Sequence, residues 1–184
     1  MSQDEPISAA TPEARLLVIG YGNPFRGDDG FGALAANLIA ERRLDAVEVI
    51  VSRQLTPEMA IPLSRARFAI FLDAAVGDHP GKLCLTCVAP DDTPGRSHFF
   101  APGTLLALAK VVFGHAPPAA LITATAATLE QGTEITPGVR AAANAAAEAV
   151  AALAAAEAID GDLLASALSR AQAGGGMPSP LARR

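Results

Sequence analysis

Four residues of this chain have the types and positions for metal chemistry: Asp28, Asp29, Asp73 and His98. Asp28 and Asp29 lie in the loop Gly20-Tyr21-Gly22-Asn23-Pro24-Phe25-Arg26-Gly27-Asp28-Asp29-Gly30-Phe31-Gly32, which follows the apolar run Leu16-Leu17-Val18-Ile19 and precedes a helical pattern. A strand–glycine–helix loop ordinarily cradles a phosphate on backbone N–H groups. Two carboxylates there repel phosphate, suit a helix N-terminus and make good cation ligands. Asp73 ends an otherwise apolar run, Phe68 to Leu72, and a buried carboxylate is costly unless paired or ligating. His98 follows the fourth apolar run, just before a helical pattern. Two carboxylates and an imidazole suit a borderline divalent metal such as nickel, zinc, manganese or iron. Capping of a helix by Asp28 or Asp29 is the alternative for those two, and a plain loop histidine is the alternative for His98. His79, flanked by Asp78 and Pro80, and His115, near Pro117-Pro118, read as exposed turn residues.

Other chemistries lack their parts. There is no Gly-x-Ser-x-Gly elbow, and neither cysteine sits at a strand-to-helix turn, so no activated nucleophile is set up. The glycine loop lacks the Gly-Lys-Ser/Thr of a P-loop. Gly20-x-Gly22 starts like a dinucleotide fingerprint, but the third glycine is misplaced and Pro24 intrudes. The second strand also ends Val51-Ser52-Arg53, with no clear acid for a ribose. Cys84 and Cys87 form a C-x-x-C inside a strand-like run. A zinc site needs about four ligands and thioredoxin-like pairs open a helix, so they read as ordinary strand residues.

Positioning the four candidates requires a scaffold. The 184 residues are 51% hydrophobic, much of it alanine, and 4% aromatic, with a net charge of −5. That length supports one domain with its own core. No basic patch points to nucleic acid or a membrane surface, and the apolar runs are broken well short of the ~20 residues of a membrane span. The acidic start Met1–Glu5 lacks the pattern of a signal peptide, so a cytoplasmic location is expected. Residues 1–14 read as a flexible lead-in, 15–160 as a single domain, and the Ala/Ser/Gly/Pro-rich 161–184 as a flexible tail.

Short apolar runs at 15–20, 46–52, 67–74, 82–88 and 119–126 predict five strands, and stripes at 30–43, 56–64, 102–113 and 135–157 predict helices. Thr56-Pro57 and Thr136-Pro137 mark helix starts. The order predicts an α/β fold of three layers: a mostly parallel twisted sheet with helices on both faces and one antiparallel strand, allowed by the direct strand-to-strand step at 77–82. In such sheets the ligand crevice lies beyond the carboxyl ends of the strands, where all four candidates fall.

These residues resemble the [NiFe]-hydrogenase maturation endopeptidases. The resemblance is carried by Gly20-x-Gly22-Asn23-x(4)-Asp28-Asp29-Gly30-x-Gly32, by Phe71-Leu72-Asp73-Ala74, by the turn Gly77-x(3)-Gly81 and by Ser97-His98, across about 16–155. It implies an enzyme that removes the C-terminal extension from the precursor of a hydrogenase large subunit after nickel insertion. It implies Asp29, Asp73 and His98 as contacts to nickel supplied by that substrate, with Asp28 helping to position the loop, and it leaves open whether a divalent metal rests there otherwise. The partner is then the large-subunit precursor, with no nucleic acid or membrane, and a monomer is the simpler expectation. The chain departs from the family after His98, at Phe99-Phe100-Ala101-Pro102-Gly103, and at Gln54-Leu55-Thr56-Pro57-Glu58, which replaces a glycine-rich stretch and points to a different large-subunit partner. A metal-binding chaperone or scaffold that holds the large subunit without cutting it is the alternative from another class, and an unrelated small α/β hydrolase is a third.

Overall fold

In the computed structural model the protein is described over residues 15–91, 100–157, 159 and 161–174. Five strands, β1 (Leu16–Tyr21), β2 (Val47–Ser52), β3 (Ala69–Ala75), β4 (Leu83–Val88) and β5 (Ala119–Thr125), form one sheet in the order β2-β1-β3-β5-β4. Four run parallel; β4 runs antiparallel to β5 at the edge. The helices are α1 (Phe31–Glu41), α2 (Ala60–Arg65), α3 (Pro102–Phe113), α4 (Pro137–Ala154) and α5 (Gly161–Gly174). Short 3-10 turns at Gly27–Gly30 and Pro57–Met59 lead into α1 and α2.

Alternation along the central strands splits the core into two layers. Leu16, Val18, Ile70 and Leu72 face one cluster with Phe31, Ile39, Val139 and Val150, under α1, α4 and α5. Leu17, Ile19, Ala69 and Phe71 face the other, with Leu63, Leu105 and Leu106, under α2 and α3. Both faces of β1 and β3 are therefore buried, which is why these strands read as continuous apolar runs rather than alternating ones. The alanines of α4 have a structural use: Ala142, Ala143, Ala146, Ala147 and Ala149 are all buried, and small side chains let α4 approach α1, α5 and the sheet closely.

Three expectations need correction. The antiparallel strand does not pair with its chain neighbour: β5 inserts between β3 and β4, because β5 is a parallel partner for β3 and leaves β4 the outer edge. Asp73 is not the last residue of its strand, since β3 continues to Ala75. Residues 161–174 are not a loose tail but the helix α5, whose Leu164, Ala167 and Leu168 are buried in the core cluster it shares with α4. Residues 175–184 and 1–14 lie outside the described residues, as do 92–99, which carry Ser97 and His98. Cys84 and Cys87 are exposed, unbonded residues of the edge strand β4. Three residues apart on a strand, they project to opposite faces. No helix among the described residues is long and apolar enough to cross a membrane.

Candidate functional site

The chain leaves β1 toward β2 on one side and returns to β3 on the other. The sheet order therefore reverses between β1 and β3, and their carboxyl ends splay to open a crevice. A cleft of about 630 Å³ lies there, lined by Tyr21, Gly22, Asn23, Arg26, Asp29, Arg53, Gln54, Leu55, Thr56, Pro57, Asp73 and Phe100. Asp29 and Asp73 thus come together from the glycine loop and from β3.

The loop reaches this shape through close backbone contacts. A Cβ on Gly32 would stand 2.2 Å from the Leu72 carbonyl oxygen and 2.3 Å from that of Tyr21, so the first turn of α1 lies directly on the ends of β1 and β3. Gly22, at φ +129, would place a Cβ 2.0 Å from the Asp29 carbonyl oxygen; only glycine fits both the angle and the contact.

Asp28 and Asp29 part ways at this point. Asp28 is fully buried and does not line the cleft. Its carboxylate accepts four hydrogen bonds: from the N–H groups of Ala127 (2.7 Å), Thr128 (3.3 Å) and Thr136 (2.7 Å), and from the Thr136 hydroxyl (3.1 Å). A carboxylate offers about four acceptor positions, so Asp28 is fully engaged in tying the loop to the segment that enters α4. Asp29 is partly open. Its Oδ2 accepts the Asn23 N–H at 3.0 Å, and the half-exposed Arg26 guanidinium stands 3.9 Å away, a separation that contributes little. Neither aspartate caps a helix: Arg26 and Gly30 occupy the N-cap positions, without a side-chain cap bond. This corrects the capping alternative.

Asp73 accepts the Ala74 N–H at 2.8 Å through Oδ1 and a bond from the Tyr21 hydroxyl. Burial pushes its carboxyl up from an ordinary 3.8 to about 6; the two hydrogen bonds pull it down, and Asp29 adds a smaller upward push. Tyr21 is pushed above the ordinary phenol range by burial, then by the Asp73 charge and the bond to Asp73. A pair of carboxylates that repel one another in a partly desolvated cleft is a site whose charge a cation would balance. Among the described residues no three His, Cys, Asp or Glu side chains gather into a metal-sized group; the third expected member, His98, lies outside them.

Sequence reasoning assigned no role to Tyr21, Asn23, Arg26, Arg53 or Phe100, all of which line the cleft. Asn23 and Arg26 belong to the glycine loop and were visible as its members. Tyr21 and Phe100 needed the strand order and the fold of the chain around the cleft. Arg53 stacks on the exposed ring of Phe25, 5.4 Å from its centroid, a contact between loops that no local pattern encodes. His79 and His115 are exposed and away from the cleft.

Fold and cleft together define a class: a small doubly wound α/β protein with a paired-carboxylate site at the topological switch point and no nucleotide loop. No protein-family model matches the chain, and no curated protein matches it. Solved structures do. The hydrogenase 2 maturation peptidase from a Thaumarchaeota archaeon is 28% identical, covering 74% of this chain and 95% of that one, with a TM-score of 0.56. The hydrogenase maturating endopeptidase HybD from E. coli is 26% identical, covering 77% and 91%, with a TM-score of 0.55. The [NiFe] hydrogenase maturation protease HycI from Thermococcus kodakarensis shares the fold at a TM-score of 0.63 and 23% identity, covering 75% and 90%. The chain is similar in fold and sequence to the [NiFe] hydrogenase maturation proteases.

Proposed function

We propose that this protein is an endopeptidase of hydrogenase maturation, which removes the C-terminal extension of a [NiFe]-hydrogenase large-subunit precursor after nickel insertion. The reading is carried by one observation: Asp29 and Asp73 share a cleft at the switch point in a chain similar to peptidases of hydrogenase maturation. In this reading Asp29 and Asp73, with His98 from the segment before α3, meet nickel held by the substrate rather than a resident metal. A divalent ion at a peptide bond polarises its carbonyl or activates water. The chain's own part is to supply carboxylate oxygens at fixed positions. Asp29 is held by Asn23, Asp73 by Ala74 and Tyr21, and the glycine loop that carries Asp29 is held by Asp28. Arg26 and Arg53 line the same cleft and supply donors for backbone carbonyls of an entering chain. The segment 54–57 forms the opposite wall, so its departure from the family lies where a partner-specific contact belongs.

The test is mass spectrometry of nickel-loaded and nickel-free precursor after incubation with the protein. Loss of a C-terminal peptide from the nickel-loaded form alone is expected. Stable binding with no loss of mass would replace this reading with the scaffold. Full processing by Asp73→Ala would remove the assigned site.

A further inference from the structure

Tyr21 is the last residue of β1, and Asp73 is the fifth of β3. The strands are parallel neighbours whose register runs to Gly20 opposite Leu72, which brings residue 21 beside residue 73. Side chains alternate along a strand, so both project to the α2/α3 side, after Leu17 and Ile19 on β1 and Ala69 and Phe71 on β3. The ring of Tyr21 packs against that apolar cluster, and its hydroxyl donates to the Asp73 carboxylate. The backbone beneath is fixed by the contact of Gly32 with the Tyr21 and Leu72 carbonyls. Anchored ring and anchored backbone leave the phenol few alternatives to this one acceptor.

The geometry points to Tyr21 as a positioning residue: its hydroxyl and the Ala74 N–H together fix the rotation of the Asp73 carboxylate so that its remaining acceptor positions face the cleft. This rests on the reading of Asp73 given under Proposed function. Oxygen ligands act only when held in the productive orientation, and outer partners of a ligand typically alter metal affinity or activity by 10–100-fold. A phenylalanine would fill the same volume against the α2/α3 core, so the hydroxyl itself is what the site requires.

The experiment is a double-mutant cycle on processing of nickel-loaded precursor, with Tyr21→Phe, Asp73→Asn and the combination, together with melting temperatures. Tyr21→Phe is expected to lower kcat about tenfold or more, with KM within about twofold because the docking surface is intact. Added to Asp73→Asn, it should cost nothing further, since its only route is through the carboxylate. Equal losses on both backgrounds, tracking a lowered melting temperature, would make Tyr21 merely structural and overturn the proposal. Wild-type kinetics in Tyr21→Phe would overturn it as well. Should Asp73→Asn itself process normally, the underlying site assignment fails instead, so the two failures are distinguishable.

Discussion

Asp28 and Asp29 are adjacent in the chain and opposite in circumstance. The first is fully buried with four donors on its carboxylate. The second, with a partly exposed side chain, takes one backbone donor and a distant guanidinium and shares a cleft with Asp73. The difference teaches how to separate a structural acid from a chemical one. Where every acceptor position is filled by the protein, the residue holds the fold together. Where acceptor positions remain open beside another carboxylate, the protein has left room for something positive. Asp73 stands with Asp29, at a cost the fold tolerates: its carboxyl is raised to about 6, chiefly by burial.

The comparison predicts a crossover between stability and processing. The largest effect is expected from Asp28→Ala, which strands three backbone N–H groups and one hydroxyl. Stability should fall by about 3–5 kcal/mol in urea titration, and a loss under about 1 kcal/mol would erase the distinction drawn here. Asp73→Ala should do the reverse: processing of nickel-loaded precursor drops by at least about a hundredfold, while the urea midpoint holds or rises.

The pH dependence sharpens the contrast further. The folded state of Asp73 binds its proton more tightly than the unfolded state, so this residue's contribution favours folding at low pH. That contribution is lost as pH rises from 3.8 through about 6. The ceiling is about 3 kcal/mol, and solvent in the cleft reduces it to roughly 1–2 kcal/mol. Asp73→Asn should therefore be more stable than the parent at pH 8 by that amount, with the gap closing toward pH 4. An unchanged gap across that window would mean the strain lies elsewhere. The smallest effect is expected from Arg26→Ala, below about 1 kcal/mol in stability, because the pair with Asp29 is long and half-exposed. A larger loss would show that Asp29 is held as firmly as Asp28.

Much of the molecule was legible beforehand where local physics decides. The runs that became β1, β3 and β5 are apolar because both sheet faces are covered, and α3 begins at Pro102 and ends at Phe113 as its stripe indicates. The joint between β1 and α1 was visible in its glycines, and the carboxylates of that loop and of β3 stood out against their surroundings. By contrast, α5 was hidden by a composition of Ala, Ser and Gly that forms a helix only when Leu164 and Leu168 find the α4 side of the core.

The sequence by itself determined that this is a layered α/β domain with acids gathered at strand ends, because periodicity and side-chain chemistry are properties of short segments. Only the tertiary structure decided which aspartate is which. Asp28 depends on donors about a hundred residues away at Ala127, Thr128 and Thr136. The meeting of Tyr21 with Asp73 depends on β1 and β3 lying side by side. Long-range pairing of this kind is set by how the whole sheet is ordered, and no window of neighbouring residues contains that information.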